Sequence, residues 1–76
     1  GQVNAANVDY RDYVTNWLEN GWSVVGYNTQ MLAMGNVTHF ILMQKEGALR
    51  SVAVLFDKQR VIGTSVFKLA PGEPKE

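Results

Sequence analysis

Two β-rich runs separated by two residues limit the fold of this chain more than any other feature. Residues 37–45 and 48–56 are rich in β-branched and large apolar side chains, and only Glu46 and Gly47 lie between them. A connection of this length that contains Gly is typical of a tight hairpin, because Gly adopts the positive φ that such turns need. The sequence therefore predicts a pair of adjacent antiparallel strands at the centre of the chain.

Further strands are predicted on both sides of this hairpin. Residues 22–27 are β-branched and aromatic with no helical period, and they predict a first strand. Residues 57–59 predict a turn, and residues 60–69 predict a fourth strand despite Gly63. The connection at residues 28–36 is too apolar for an ordinary loop, so it predicts a short helical turn or an interface.

The N-terminal part of the chain has a helical period. Between residues 7 and 20 the large apolar side chains recur at the i, i+3, i+4, i+7, i+8 spacing of one helix face. These side chains are Tyr10, Tyr13, Val14, Trp17 and Leu18. Asn7 or Asp9 can cap the start of this helix, and Gly21 can end it in a left-handed conformation.

The predicted order of elements is α-β-β-β-β, which defines an α+β fold. We expect an amphipathic N-terminal helix packed on a four-stranded antiparallel β-meander. A chain of 76 residues supports one hydrophobic core, so residues 1–70 are expected to form a single domain. Residues 71–76 contain two Pro among polar residues and are expected to be a disordered C-terminal tail.

Both faces of the predicted sheet are apolar. Because side chains alternate along a strand, one face receives Val37, His39, Ile41, Met43, Val52, Val54 and Phe56, and the other receives Thr38, Phe40, Leu42, Leu49, Ala53 and Leu55. A helix of about 13 residues is roughly 20 Å long and covers one face only. The second face therefore needs a further cover: a strongly curved sheet that closes as a small barrel, the segment at residues 31–34, or a second copy of the chain.

Composition excludes several classes of function. Seven Lys and Arg balance seven Asp and Glu, so no overall field attracts nucleic acid or an anionic membrane. The absence of Cys excludes disulfides and thiolate metal sites, and a single His disfavours a protein-only metal site. No apolar run is long enough to cross a bilayer, so a soluble protein is expected. Because Gly1 suits a tag remnant or a processed chain, cytoplasmic location and export after signal-peptide removal both stay open.

Few side chains suit catalysis or ligand binding. Carboxylates are scattered without a diagnostic spacing, and His39 lies in the middle of a predicted strand, so we expect no enzyme activity and no cofactor. The alternative function is the binding of a small ligand or of single-stranded nucleic acid on the sheet face or in a cleft between helix and sheet, with Trp17, Tyr27 and His39 as the ligand-binding residues. Single-stranded nucleic acid on the sheet face or in the cleft is disfavoured, because Lys and Arg are not clustered.

The surplus of apolar surface favours a non-enzymatic protein-interaction or self-assembly module. Met side chains adapt to irregular partner surfaces, and the predicted partner-binding residues are Met31, Leu32 and Met34. The same side chains would otherwise plug the open edge of a small core. We expect a homodimer or a complex with a protein partner, joined through the second sheet face or through this segment.

Overall fold

A computed structural model describes residues 9–58 and 60–72 of the chain. The elements are a 3-10 turn at Tyr10–Tyr13, helix α1 at Thr15–Glu19, strand β1 at Ser23–Met31, a 3-10 turn at Ala33–Gly35, and strands β2 at Asn36–Lys45, β3 at Ala48–Asp57 and β4 at Arg60–Pro71. The four strands form one antiparallel sheet in the order β1-β2-β3-β4. The predicted four-stranded meander is therefore confirmed.

The single N-terminal helix predicted over residues 7–20 is wrong in its extent. The 3-10 turn and α1 are separated by Val14, which has φ −128° and ψ 20°, and α1 has only five residues. The Thr15 hydroxyl donates to the carbonyl oxygen of Arg11 at 3.2 Å. Tyr, Asp, Val, Thr and Asn, which dominate this segment, are weak helix formers, so nothing in the local sequence sustains one continuous helix.

The start of the helical region is capped by Asp9. Its carboxylate accepts a hydrogen bond from the backbone N–H of Arg11 at 3.0 Å and pairs with the Arg11 guanidinium at 3.3 Å on an exposed surface. The backbone hydrogen bond, followed by the guanidinium, lowers the pKa of the Asp9 carboxyl from its usual value. The other predicted cap, Asn7, lies outside the described residues.

The end of α1 has the left-handed glycine that the sequence predicts. Gly21 has φ 90°, its N–H donates to the Leu18 carbonyl oxygen, and the N–H of Trp22 donates to that of Trp17. This pair of bonds is the Schellman motif, which satisfies carbonyl groups left over at a helix end. The two indole rings meet edge to face at 4.9 Å, which supplies the apolar contact that usually accompanies the motif. The chain therefore leaves α1 directly into β1.

The central hairpin is formed as predicted. Glu46 and Gly47 have φ values of 51° and 80°, and two successive positive φ values are typical of a type I′ turn. Lys45 pairs with Ala48, and the β2–β3 register continues without a bulge to the far end of both strands. This uninterrupted pairing makes β2 and β3 the centre of the sheet.

β1 is longer than the strand predicted at residues 22–27. It continues to Met31, which pairs with Val37, because the polar residues that precede Met31 extend the ladder instead of forming a loop. The 3-10 turn at Ala33–Gly35 then connects β1 to β2. A short helical turn was one of two predicted forms of this connection.

The sheet is not closed. Among residues 9–58 and 60–72, β1 and β4 are the two edges of the sheet and do not pair with each other. The predicted barrel is therefore wrong. Closure requires the first and last strands to meet, and small closed barrels usually need about five to eight strands.

The core lies on the first face of the sheet. Its buried side chains are Val37, Ile41, Met43, Val52, Val54 and Phe56, and they enclose Val14. Val14 comes from the break between the two helical segments, so the irregular backbone there places this side chain in the core. Tyr10 and Trp17 pack against the same cluster.

β4 runs slightly past the predicted domain boundary. Pro71, the first residue of the predicted tail at residues 71–76, pairs with Ala48 at the end of β4. Residues 73–76 lie outside the described residues, as does Gly1.

Candidate functional site

Tyr27, Thr29 and His39 form a hydrogen-bonded cluster on the first face of β1 and β2. The Tyr27 hydroxyl lies 2.5 Å from Nδ1 of His39, and the Thr29 hydroxyl lies 2.9 Å from the Tyr27 oxygen. Thr29 is directly opposite His39 in the register, and Tyr27 is two residues away on the same face. The antiparallel pairing therefore brings together two of the three predicted ligand-binding residues, Tyr27 and His39.

The hydrogen bonds of this cluster have a consistent direction. The Thr29 hydroxyl donates to the Tyr27 oxygen, which leaves the Tyr27 proton to be donated to Nδ1 of His39. His39 is only 1% exposed, so its imidazole acts as an internal hydrogen-bonding group.

The aromatic neighbours of Tyr27 fix the cluster in the fold. Tyr10 stacks on Tyr27 with ring centroids 4.3 Å apart, and His39 is nearly parallel to Tyr27 at 5.8 Å. The His39 ring also meets Phe56 edge to face at 5.3 Å. Side chains of the chain itself therefore pack around His39, whereas Tyr27 is 41% exposed.

Trp17, the third predicted ligand-binding residue, lies in a different aromatic cluster. Its ring contacts Trp22, and the Arg50 guanidinium lies 5.5 Å from the centroid of the Trp22 ring. The Trp17 ring therefore contacts Trp22, whereas the Tyr27 hydroxyl contacts His39.

Met31, Leu32 and Met34 lie at the tip of the β1–β2 hairpin. They are 67%, 43% and 90% exposed, respectively. Met34 has φ 63° and ψ 28°, a left-handed conformation that costs an L-residue about 1–2 kcal/mol. No Lys, Arg, Asp or Glu occurs between Glu19 and Lys45, so the tip is apolar and set in an uncharged part of the chain. We call Met31, Leu32 and Met34 the hairpin tip.

β4 carries the largest group of exposed apolar side chains outside the hairpin tip. Each of them is between 43% and 57% exposed, and they are Val61, Ile62, Val66, Phe67 and Leu69. The sequence predicted a strand here but did not indicate this exposure. One sequence feature could have indicated the exposure of β4. The polar run Gly63-Thr64-Ser65, together with Lys68, interrupts the apolar residues of β4 more than any polar run does within β2 or β3.

The second face of the sheet continues the apolar surface of β4. The register places on it the side chains of Phe40, Leu42, Leu49, Ala53, Leu55 and Phe67. Most of them are half-buried between their neighbours, and Phe67 is the most exposed at 52%. The contacts of the N-terminal turns, Tyr10 on Tyr27 and Tyr13 on Phe56, lie on the first face. The apolar surface available for contact is therefore centred on β4 and the adjoining second face.

In the part of the chain that the structure describes, no group of three or more His, Asp or Glu side chains is arranged to hold a metal ion. Within the same residues, no helix has the length and apolar character needed to span a bilayer. No family model matches the chain, and neither a curated protein nor a solved structure is similar to it.

Proposed function

We propose that this chain is a non-enzymatic self-assembly module that forms a homodimer. The observation that carries the proposal is β4, an edge strand with five large apolar side chains that are each about half exposed. Monomeric proteins usually protect such strands, because an exposed apolar edge pairs readily with another chain. In this proposal the N-terminal turns cover the first face, and a second copy of the chain covers the exposed side chains of β4.

The exposed side chains of β4 suffice for a dimer of moderate affinity. Complete burial of a large apolar side chain contributes about 2 kcal/mol, so half-exposed side chains contribute about 1 kcal/mol each when a partner covers them. Ten such side chains from two copies give about 10 kcal/mol, against an association cost of at least about 4 kcal/mol. The net value of at most about 6 kcal/mol corresponds to a dissociation constant of tens of micromolar or weaker.

The hairpin tip is the second candidate contact, and it suits a different protein partner. Its three apolar side chains project from a narrow turn, where a pocket of a partner could enclose them. The strained backbone at Met34 is the observation that favours this use, because such strain often accompanies functional positions. A tip contact and a β4 contact use different parts of the molecule and are compatible with each other.

The experiment is a measurement of mass against concentration. We expect sedimentation equilibrium between about 1 μM and 1 mM to show a monomer–dimer transition in the range calculated above. Phe67→Lys places a charge on the exposed surface of β4 and is expected to weaken the dimer at least about tenfold. Val25→Lys is the matched control, because Val25 is 49% exposed on the opposite edge strand.

A monomer at every concentration would remove the proposal of a homodimer. Equal weakening by Phe67→Lys and Val25→Lys would leave a dimer but would place its interface away from β4. The two variants have similar initial exposure, 52% and 49%, so a difference between them reports the location of the contact and not a general effect of charge.

A further inference from the structure

We infer that β4 pairs antiparallel with β4 of a second copy across a two-fold axis at Ser65, so that two sheets join into one sheet of eight strands. This inference rests on the proposed self-assembly function and specifies how the two copies meet. One side of β4 is hydrogen-bonded to β3, and its other side is an edge of the sheet. Alternate backbone groups of a strand point to its two sides, so this edge presents donors and acceptors to a second strand.

β4 has exposed apolar side chains on both faces of the sheet. Val61 and Val66 lie on the first face, opposite Phe56 and Val52, whereas Phe67 lies on the second face. All three are substantially exposed. A partner that covered only the second face would leave the two Val side chains in solvent. A strand added at the edge places side chains about 5 Å away on both faces, and thus contacts Val66 on one face and Phe67 on the other.

The irregularities of β4 limit the segment that can pair. The register against β3 shifts between Leu55 and Phe56 and again between Leu49 and Arg50, which places unpaired residues of β4 at Ile62 and Leu69. Bulges of this kind interrupt a ladder and twist the edge away from a partner. Residues 63–68 are the regular segment between them. A short regular segment favours one closed pair of strands over an open-ended array.

The order of residues in this segment favours an axis at Ser65. With Ser65 opposite its own copy, Phe67 faces Gly63 of the second copy, and Thr64 faces Val66. A Cβ built at Gly63 has no atom within 4 Å, so there is room beside this residue for an aromatic ring. Aromatic side chains opposite strand glycines are a known stabilising arrangement.

The charges of β4 agree with the same axis. Its charged residues are Arg60 and Lys68, both positive. An axis at Thr64 would set Arg60 of each copy opposite Lys68 of the other, which is unfavourable. An axis at Ser65 sets Lys68 opposite Ile62 and avoids that repulsion.

Cysteine cross-linking tests the inference, because the natural chain has no Cys that could react. Directly opposite residues of an antiparallel pair have Cα atoms about 4.5 or 5.5 Å apart, and both distances are compatible with a disulfide. Ser65→Cys is therefore expected to form an intermolecular disulfide under mild oxidation. Thr64→Cys is the matched control, because the two copies of residue 64 would lie diagonally at about 8 Å. Ser23→Cys on β1 reports random collision.

We expect Ser65→Cys to cross-link at least about tenfold faster than either control, since the paired thiols have an effective concentration near the millimolar range. Fast cross-linking at Val66→Cys with slow cross-linking at Ser65→Cys would overturn the register. Equal rates for Ser65→Cys and Ser23→Cys in a chain that sediments as a dimer would overturn the pairing of β4 but leave the self-assembly proposal intact. A chain that sediments as a monomer would overturn both.

Discussion

Met34→Gly is expected to stabilise the protein although it removes a large apolar side chain. Met34 has φ 63° and ψ 28°, and its side chain is 90% exposed. The left-handed backbone costs an L-residue about 1–2 kcal/mol, whereas Gly adopts it without a Cβ penalty. The greater freedom of Gly in the unfolded chain offsets about 0.5–1 kcal/mol of this gain. Little burial is lost, because the Met34 side chain is almost entirely in solvent.

The expected net increase in the free energy of unfolding is about 0.5–1 kcal/mol. For a domain of this size it corresponds to a rise in Tm of about 3–6 °C. Urea unfolding followed by the fluorescence of Trp17 and Trp22 measures the change as a higher midpoint with an unchanged m-value. Met31→Gly is the control, because Met31 is paired in the β1 ladder and Gly in a strand lowers stability by about 0.5–1 kcal/mol.

A Met34→Gly variant less stable than the parent would refute the strain argument. It would mean that contacts of the side chain, and not the backbone geometry, determine the conformation of the turn. If the hairpin tip binds a partner, the same substitution raises stability and lowers affinity. Opposite signs for the two effects would distinguish a strained functional residue from one that simply supports the fold.

Other measurements address the rest of the structure. Tyr27→Phe removes the hydroxyl that donates to His39 and is expected to lower the free energy of unfolding by about 1–2 kcal/mol in urea denaturation. Gly47→Ala is expected to cost about 1–2 kcal/mol because φ is 80°, whereas Gly63→Ala, with open space at its Cβ, should change monomer stability by less than about 0.5 kcal/mol. The folded pKa of Asp9 lies below the ordinary 3.8, so this carboxylate contributes stability at neutral pH that is lost as the pH falls through its folded pKa. An Asp9→Ala variant should therefore lose less stability than the parent between about pH 5 and pH 2.

The strands were predictable from the sequence because two local signals agree there. The Glu46-Gly47 pair specifies a turn with two positive φ values, and the β-rich residues on both sides have no other regular structure to adopt. The end of β1 was not predictable from the same signals. Residues 28–30 are Asn, Thr and Gln, which are common in loops, and only pairing with β2 makes them a strand.

In the N-terminal segment, the spacing of apolar residues predicts which side chains face the core better than it predicts the backbone conformation. Three of the five predicted inward side chains, Tyr10, Val14 and Trp17, pack in or against the core, whereas Tyr13 and Leu18 are each 38% exposed, so the period identified the buried face only in part. The period could not show that the helix breaks at Val14. A 3-10 turn followed by a short α-helix keeps nearly the same spacing of side chains, and the weak helix propensities of the segment favour the broken form.

The three predicted ligand-binding residues differ in how far the sequence predicts their contacts. Tyr27 and His39 came together because antiparallel register is a local consequence of the hairpin. The Trp17 ring contacts Trp22, which follows the glycine cap at Gly21. The sequence predicts this cap, but it does not predict the contact between the two indole rings.

The location of the surplus apolar surface depends on topology more than on composition. β3 and β4 both contain large apolar residues on their two faces, yet Val52 and Val54 are buried whereas Val66 and Phe67 are about half exposed. The difference arises because β3 has a strand on each side and β4 has only one. β4 therefore presents large apolar side chains at an edge of the sheet, where no described residue pairs with its outer side. In the proposed dimer a second copy of the chain supplies this neighbour, and the cross-linking rates at Ser65 decide whether it is another β4.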